Sequence, residues 1–272
     1  MSHPATQSVL CLIVVGVVAT GLVSAEEPQA PDPEAVEERG TWEQVVEGGF
    51  GDIERLMVNA MAEFQGELYA AAYHPVSGGE LWRSPDGETW EAVVGPGGRV
   101  GSGFGNPKNE QVTVLRTIGP WLFAGVWNTE QGAELWRSAD GVTWDALIGG
   151  PSAVAGGFGT PDTGIIALAS FQEQFFVGTG SRAKNNAELW VSKDWGTTWE
   201  PIAGERVAIR LALGSQSRYL QDLTVFRDAL YVAVGNPEQG AEMWRTRDGW
   251  MWEPVVGVPS RYPAGLGKAQ WT

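Results

Sequence analysis

The sequence is poor in cysteine and histidine. Its one cysteine, Cys11, lies in an apolar N-terminal segment, and its two histidines are His3 and His74. Once that segment is removed, the chain has no thiol for a disulfide or a cysteine-based metal site, and a lone histidine forms no histidine cluster. We therefore predict no metal, no cofactor and a fold held together by packing.

Positive charge is also scarce: 18 Lys and Arg stand against 33 Asp and Glu, which gives a formal net charge of −15. Nucleic acid and anionic membrane surfaces are bound through clustered basic residues, so both kinds of partner are excluded. An acidic surface that keeps an exported protein in solution accounts for the charge.

Nor does the chain contain a long hydrophobic run. The apolar stretch from Val9 to Val23 is shorter than the about 20 residues of a membrane span, and Val23-Ser24-Ala25 is typical of a cleavage site. We predict a signal peptide at residues 1–25, with an uncleaved anchor as the alternative because no Lys or Arg precedes the run. Residues 26–40, acidic and proline-rich, are predicted to be a linker. The mature chain, without a membrane span, is predicted to be secreted, periplasmic or at the cell surface.

Tryptophan and glycine, by contrast, are abundant and lie in a repeat. Trp82, Trp136, Trp190 and Trp244 are spaced 54 residues apart, within the related stretches LWRSPDGETW, LWRSADGVTW, LWVSKDWGTTW and MWRTRDGWMW. Upstream aromatic residues keep the same step to within one residue, at Tyr69, Phe123, Phe176 and Tyr231. This spacing indicates four homologous units.

Each unit divides into four short strand-like runs. In the second unit these are residues 112–118, 121–127, 133–138 and 143–148, separated by Gly, Pro, Asn and Asp. Four short antiparallel strands in a repeat of this length are typical of a β-propeller blade. We predict an all-β propeller for residues 41–272, with complete four-stranded blades at about residues 57–94, 111–148, 164–202 and 220–256.

The stretch between the third and fourth runs resembles the Asp-box, or BNR repeat, whose pattern is S-x-D-x-G-x-T-W. Residues 192–199 match it in full, the first two copies are one residue shorter, and the fourth has Thr246 and Met251 in place of Ser and Thr. Asp accepts hydrogen bonds from its own turn, and Gly supplies the positive φ of a tight hairpin. The residues predicted to build these hairpins are Ser84, Asp86, Gly87, Trp90, Ser138, Asp140, Gly141, Trp144, Ser192, Asp194, Gly196, Trp199, Asp248, Gly249 and Trp252.

This resemblance implies a fold more than a function. In the families that carry the box, which include sialidases, xyloglucan hydrolases, sortilin-type receptors and photosystem assembly factors, it is a structural hairpin remote from the active face. Sialidases also carry a Phe-Arg-Ile-Pro motif, an arginine triad and a Tyr/Glu pair with an acidic Asp, and no Phe-Arg-Ile-Pro occurs here. No catalytic residue is therefore carried over.

Recurring glutamates are the remaining candidates for hydrolase chemistry, which needs two carboxylates about 5–9.5 Å apart. Glu80, Glu134, Glu188 and Glu242 each precede the first box tryptophan by two residues. Because they lie on the third strand of different blades, their carboxylates should not converge. We predict instead that they satisfy backbone or arginine neighbours.

The face opposite the boxes should carry the loops between blades and those between second and third strands. Gly-Phe-Gly occurs there at residues 103–105 and 157–159, and we predict a plug whose Phe fills the groove between blades. Amide and charged side chains near aromatics suit sugar hydroxyls or peptide backbone, and they equally suit ordinary turns. The ligand-binding residues predicted here are His74, Asn106, Asn128, Glu130, Gln131, Arg182, Asn236, Glu238 and Gln239.

Both ends of the repeat region depart from the four units. Residues 41–46 match the outer-strand sequence of residues 89–94 without a box before them, and residues 265–272 resemble the start of an innermost strand. This predicts an N-terminal outer strand and a C-terminal stub, and hence a fragment of a propeller with at least five blades. A strained or open four-blade assembly is the alternative. For the function, we predict a binding or scaffold module for glycan or extracellular protein ligands, with a glycoside hydrolase as the alternative.

Overall fold

The computed structural model describes residues 42–152, 154–182, 187–203, 217–237 and 240–257. The described strands belong to one compact region within residues 44–272. The predicted signal peptide, linker and C-terminal stub lie outside the described residues, and no described helix has the length and apolar character needed to cross a membrane. The strands are β1 (Met57–Phe64), β2 (Glu67–Tyr73), β3 (Glu80–Ser84), β4 (Glu91–Val94), β5 (Asn109–Ile118), β6 (Trp121–Asn128), β7 (Glu134–Ser138), β8 (Asp145–Ile148), β9 (Thr163–Phe171), β10 (Gln174–Ser181), β11 (Leu189–Ser192), β12 (Glu200–Ala203), β13 (Tyr219–Phe226), β14 (Ala229–Gly235), β15 (Glu242–Thr246) and β16 (Trp252–Val256).

Consecutive strands pair antiparallel in groups of four, and we number these groups units 1 to 4 along the chain. The strands of unit 2 lie where the alternation of apolar runs and turn residues predicts them. Short ladders also join neighbouring units. Between units 2 and 3, Trp127 pairs with Gly164 and Asn128 with Thr163; between units 3 and 4, Gly180 pairs with Tyr219. The prediction of an all-β antiparallel fold is confirmed, and no pairing among the described strands closes the sheets into a ring.

The predicted N-terminal outer strand is not formed. Residues 42–47 are in no strand, and the side chain of Trp42 is fully exposed. An extended segment becomes a strand only through hydrogen bonds to a neighbour. None of the described strands pairs with this segment, although its sequence matches that of an outer strand.

Three hydrophobic clusters fill the spaces between successive units. Each combines residues from the first two strands of one unit with residues from the first strand of the next. The packing is tight enough to require glycine on β6, since a Cβ on Gly125 would lie 2.6 Å from the Val114 side chain and 2.8 Å from that of Ile165. The stability of the fold therefore comes from contacts between units as well as from the strand ladders.

The Gly-Phe-Gly plugs are confirmed, and there is a third copy at Gly49-Phe50-Gly51. Phe104 and Phe158 are buried and stack on Trp136 and Trp190, with ring centroids 4.7 and 3.9 Å apart. Phe50 stacks on Trp82 in the same way, at 4.8 Å. All three phenylalanines have a positive φ between 50° and 56°, a region that disfavours residues other than glycine. Ring stacking against the third strand offsets this backbone strain.

Candidate functional site

The box hairpins are closed by their own aspartates. Asp86 Oδ1 accepts the N–H groups of Glu88 and Thr89 at 2.9 and 2.8 Å, and its Oδ2 accepts the Thr89 hydroxyl. The Ser84 hydroxyl donates to Asp86 and accepts the N–H of Gly87 at 2.7 Å. Asp140 and Asp194 make the corresponding bonds in units 2 and 3.

The fourth box keeps most of this scheme despite its altered sequence. Asp248 accepts the N–H groups of Trp250 and Met251 at 2.8 and 2.7 Å, and the Thr246 hydroxyl takes the place of the serine. Only the side-chain hydroxyl bond is lost, because Met251 replaces threonine. Box 3 differs in another way: its extra residue lets Trp199 donate to Gly196 O at 3.1 Å, whereas the buried indole N–H groups of Trp90, Trp144 and Trp252 have no partner.

Hydrogen bonding holds the box aspartates in their charged form. The side chain and backbone of Thr89 lower the pKa of Asp86, and the Thr198 hydroxyl is the main group that lowers the pKa of Asp194 to about 2. With their acceptor oxygens occupied by the turn, these carboxylates are poorly suited to act as bases or metal ligands.

The recurring third-strand glutamates accept hydrogen bonds from tryptophan side chains of the same strand region. Their side chains are buried, and each accepts the indole N–H of the tryptophan two residues along, at distances of 2.9–3.1 Å, in the pairs Glu80–Trp82, Glu134–Trp136, Glu188–Trp190 and Glu242–Trp244. Residues i and i+2 of a strand share a face, which makes the contact possible. The prediction of backbone or arginine partners missed this bond, although Glu80 also has an arginine partner.

In unit 2, the glutamate belongs to a buried network of neutral amides. Asn109 Nδ2 donates to Glu134 Oε2 at 2.8 Å, and Asn128 Nδ2 donates to Asn109 Oδ1 at 2.7 Å. Asn128 Oδ1 accepts the N–H groups of Glu130 and Gln131 at 2.9 and 2.6 Å, so the network also holds the loop after β6. Burial raises the pKa of Glu134, and no cation among its described partners offsets that effect.

A cavity of about 340 Å³ reaches Glu134 of this network. Glu134 contributes to its floor, while Gln131 and residues 149, 150, 152 and 154–156 form its walls. The Gln131 side chain is exposed and, among the described residues, its amide makes no hydrogen bond. The Ser152 hydroxyl donates to Leu147 O at 2.8 Å and accepts the N–H of Val154 at 3.1 Å, so it holds the wall of the cavity in place.

Unit 1 uses charged residues at the same repeat positions. Arg55, 54 residues before Asn109, donates from Nε to Glu80 Oε2 at 2.6 Å and from Nη1 to Gly49 O at 3.3 Å. The Ser102 hydroxyl donates to the other carboxylate oxygen at 3.3 Å. Arg55 and Glu80 are both buried, so this carboxylate is neutralised by a guanidinium inside the protein.

His74 takes the place of Asn128 in unit 1. Its Nδ1 accepts the N–H groups of Val76 and Ser77 at 3.2 and 3.1 Å, and its Nε2 faces Asp52 and Glu54 at 3.5 and 4.0 Å. One nitrogen and two carboxylates within 4.8 Å of one another could suggest a metal site. A neutral imidazole that accepts at Nδ1 carries its proton on Nε2, however, so the nitrogen facing the carboxylates has no free lone pair for a metal. These residues do not fit a metal site in this arrangement.

A second polar surface lies where β5 begins and β6 ends. The Arg182 guanidinium covers the Trp127 ring at 4.3 Å and donates to Gln111 Oε1 at 3.1 Å. The Trp127 indole donates to Asp162 Oδ1 at 3.1 Å. Arg182 is exposed and ion-paired with Glu110 at 3.8 Å, so the predicted residue lies on the surface but its charge is partly neutralised.

The predicted ligand-binding residues therefore divide by burial. His74, Asn128 and Asn236 are buried and make hydrogen bonds inside the protein, Asn236 with Glu242 at 2.8 Å, and their contact with a ligand stays a prediction. Of the more accessible residues, Asn106 accepts the N–H of Lys108 at 3.0 Å and Glu130 pairs with Lys108 at 2.8 Å. Gln131 lines the cavity, and Glu238 and Gln239 lie outside the described residues.

Sequence reasoning missed Asn109 and Arg55, which complete the buried networks. They occupy one repeat position but differ in residue type. Alignment of the 54-residue repeat would have shown that the two positions are equivalent, but not that both contact the recurring glutamate.

The sequence matches no protein-family model and no curated protein. Solved structures similar to the chain include a GH74 xyloglucanase from Xanthomonas campestris, with 19% identity, 77% of this chain and 32% of that chain covered, and a TM-score of 0.46. A mutant sialidase of Trypanosoma rangeli is 13% identical, with 75% of this chain and 38% of that chain covered and a TM-score of 0.47. A chain of a nidogen/laminin complex is 11% identical, with 75% of this chain and 66% of that chain covered and a TM-score of 0.46. The chain spans less than two thirds of the length of each, and similarity at this level does not assign an activity.

Proposed function

We propose that the protein is an exported glycan-binding module and that its four units are blades of a β-propeller. The 54-residue repeat and the antiparallel order of four strands per unit support the propeller. The apolar segment ending at Val23-Ser24-Ala25 supports export.

The cavity of unit 2 is the proposed ligand site. One observation carries this proposal: the exposed, unpaired amide of Gln131 and the side chain of Glu134, which Asn109 holds by a hydrogen bond, line the same cavity. Its volume is within the range of about 300–1,000 Å³ that small-molecule sites occupy. Amide and carboxylate groups held in fixed positions match the hydroxyl groups of a sugar, which both donate and accept hydrogen bonds.

Binding is favoured over hydrolysis because of the carboxylates. Glycoside hydrolysis needs two carboxyl groups about 5–9.5 Å apart across the scissile bond. Among the described residues that line the cavity, Glu134 is the only one with a carboxylate. Asp52 and Glu54 lie close together in unit 1, but both are solvent-exposed and neither lines this cavity.

A glycan screen on the purified protein tests the proposal, followed by titration calorimetry with the best oligosaccharide. Ala155→Phe should abolish binding because a ring at this exposed position in the cavity wall would fill the cavity. Gln131→Ala should weaken binding by about tenfold, the effect of roughly one hydrogen bond.

Ala139→Phe is the matched control, since Ala139 is an exposed alanine of the same unit in the box hairpin. It should bind like the unmodified protein. Failure to bind any glycan, or full binding by Ala155→Phe, would contradict the proposed site. Release of sugar products in a parallel assay would favour a hydrolase.

A further inference from the structure

The three interfaces between units use the same repeat positions. Each is formed by a trailing face, at the end of the first strand and the start of the second, and by the leading face of the next unit, on its first strand. The trailing residues are Phe64 and Tyr69, Ile118 and Phe123, and Phe171 and Phe176; the leading residues are Val112 and Leu115, Ile165 and Leu168, and Leu220 and Leu223. All twelve are at most 9% exposed.

Two faces of the same kind are covered by none of the residues that the structure describes. On the leading face of unit 1, Val58 and Met61 are 47% and 54% exposed. On the trailing face of unit 4, Phe226 is 56% exposed, and Tyr231 beside it is only half-buried. Exposed apolar clusters at positions that are otherwise buried mark an interaction surface.

We propose that a second copy of this chain covers these faces, with the leading face of unit 1 packed on the trailing face of unit 4 of its partner. The two faces have the residue types and repeat positions that already pack together three times within the chain. Phe226 and Tyr231 would meet Val58 and Met61 as Phe64 and Tyr69 meet Val112 and Leu115. The contact is head-to-tail, so it joins two different faces. Each copy of a pair keeps one face that can bind a further copy.

Light scattering coupled to size-exclusion chromatography tests this on the purified protein, at several concentrations and about 150 mM salt, where surface charges are screened. The unmodified protein should elute as an assembly of two or more copies. Met61→Asp blocks the leading face and Phe226→Asp the trailing face, so each variant alone should be monomeric. Mixed in equal amounts they should form a two-chain species, because the first retains a trailing face and the second a leading face.

Met251→Asp is the control, since Met251 is 77% exposed on the box hairpin of unit 4 and belongs to neither face. It should assemble like the unmodified protein. If a face variant fails to fold, as judged by circular dichroism, Val58→Asp replaces Met61→Asp on the leading face and Tyr231→Asp replaces Phe226→Asp on the trailing face. A monomeric unmodified protein, an assembly that survives either face variant, or a mixture that remains monomeric would overturn the proposal.

Discussion

Units 1 and 2 place different residues around the same buried glutamate. Glu80 is paired with the buried guanidinium of Arg55, whereas Glu134 is held by the neutral amide of Asn109 and lies at the floor of a cavity. The same strands and the same Glu–Trp bond support both arrangements. One repeat therefore supplies a charge-neutralised glutamate in unit 1 and, in unit 2, a buried glutamate that lines a cavity and is held by neutral amides.

The comparison shows how a repeat protein can acquire a site without changing its fold. In both units a buried carboxylate needs hydrogen-bond donors as partners. An arginine meets this need with a long side chain that fills space, and asparagine meets it with a short one.

The largest effect is expected from removing the cation of unit 1. Arg55→Ala should lower the free energy of unfolding by about 3–5 kcal/mol because Glu80 would remain buried without a counter-charge. Asn109→Ala in unit 2 should cost only about 1–3 kcal/mol, since the hydrogen bonds of an uncharged amide are lost and no counter-charge is removed. Urea denaturation of both variants measures the difference, and equal losses would break the comparison.

A smaller loss is expected from the box hairpins. Asp140→Ala should destabilise the protein by about 1–2 kcal/mol through the loss of its turn hydrogen bonds, with glycan binding unchanged. Denaturation and calorimetry on the same samples check this. Loss of binding by a stably folded Asp140→Ala protein would place the ligand on the box face instead.

Opposite pH dependences should distinguish the two kinds of carboxylate. The folded-state pKa of Asp140 is lowered from 3.8 by bonds to Thr143 that outweigh desolvation, so its stabilising effect is present above pH 3.8 and is lost as the pH falls. The pKa of Glu134 is raised from 4.5 by burial, so its contribution is greatest below pH 4.5 and declines as the pH rises. The destabilisation caused by Asp140→Asn should therefore shrink toward low pH, and that caused by Glu134→Gln should shrink toward neutral pH.

The smallest effect concerns the fourth box. Met251→Thr should restore the missing hydroxyl bond to Asp248 and stabilise the protein by about 0.5–1 kcal/mol. Met251→Val is the control, because valine has the shape of threonine without its hydroxyl. A thermal melt in which the two variants coincide would show that the hydroxyl bond contributes nothing.

Repetition made the fold accessible from the sequence. The 54-residue step located four units, and turn residues located the four strands of unit 2. Residues 42–46 form no strand although their sequence resembles that of an outer strand, because sequence similarity does not provide the partner that a strand needs. Local pattern thus predicts an element, while pairing depends on what lies beside it.

The candidate site was less accessible for a related reason. Gln131 was predicted because it stands in a polar loop, but Asn109 is 25 residues from Glu134 and has no recurring residue type to mark it. Asn128 was predicted as a ligand contact because polarity in a loop does not reveal burial. The backbone donors at Glu130 and Gln131 draw its amide into the protein instead.

A crystal structure of the protein with the best-binding oligosaccharide is the most direct test. We expect a sugar ring in the cavity of unit 2, hydrogen-bonded to the Gln131 amide and lying beside Glu134. A sugar bound instead at the Arg182–Trp127 surface, or on the box hairpins with the cavity of unit 2 empty, would contradict it.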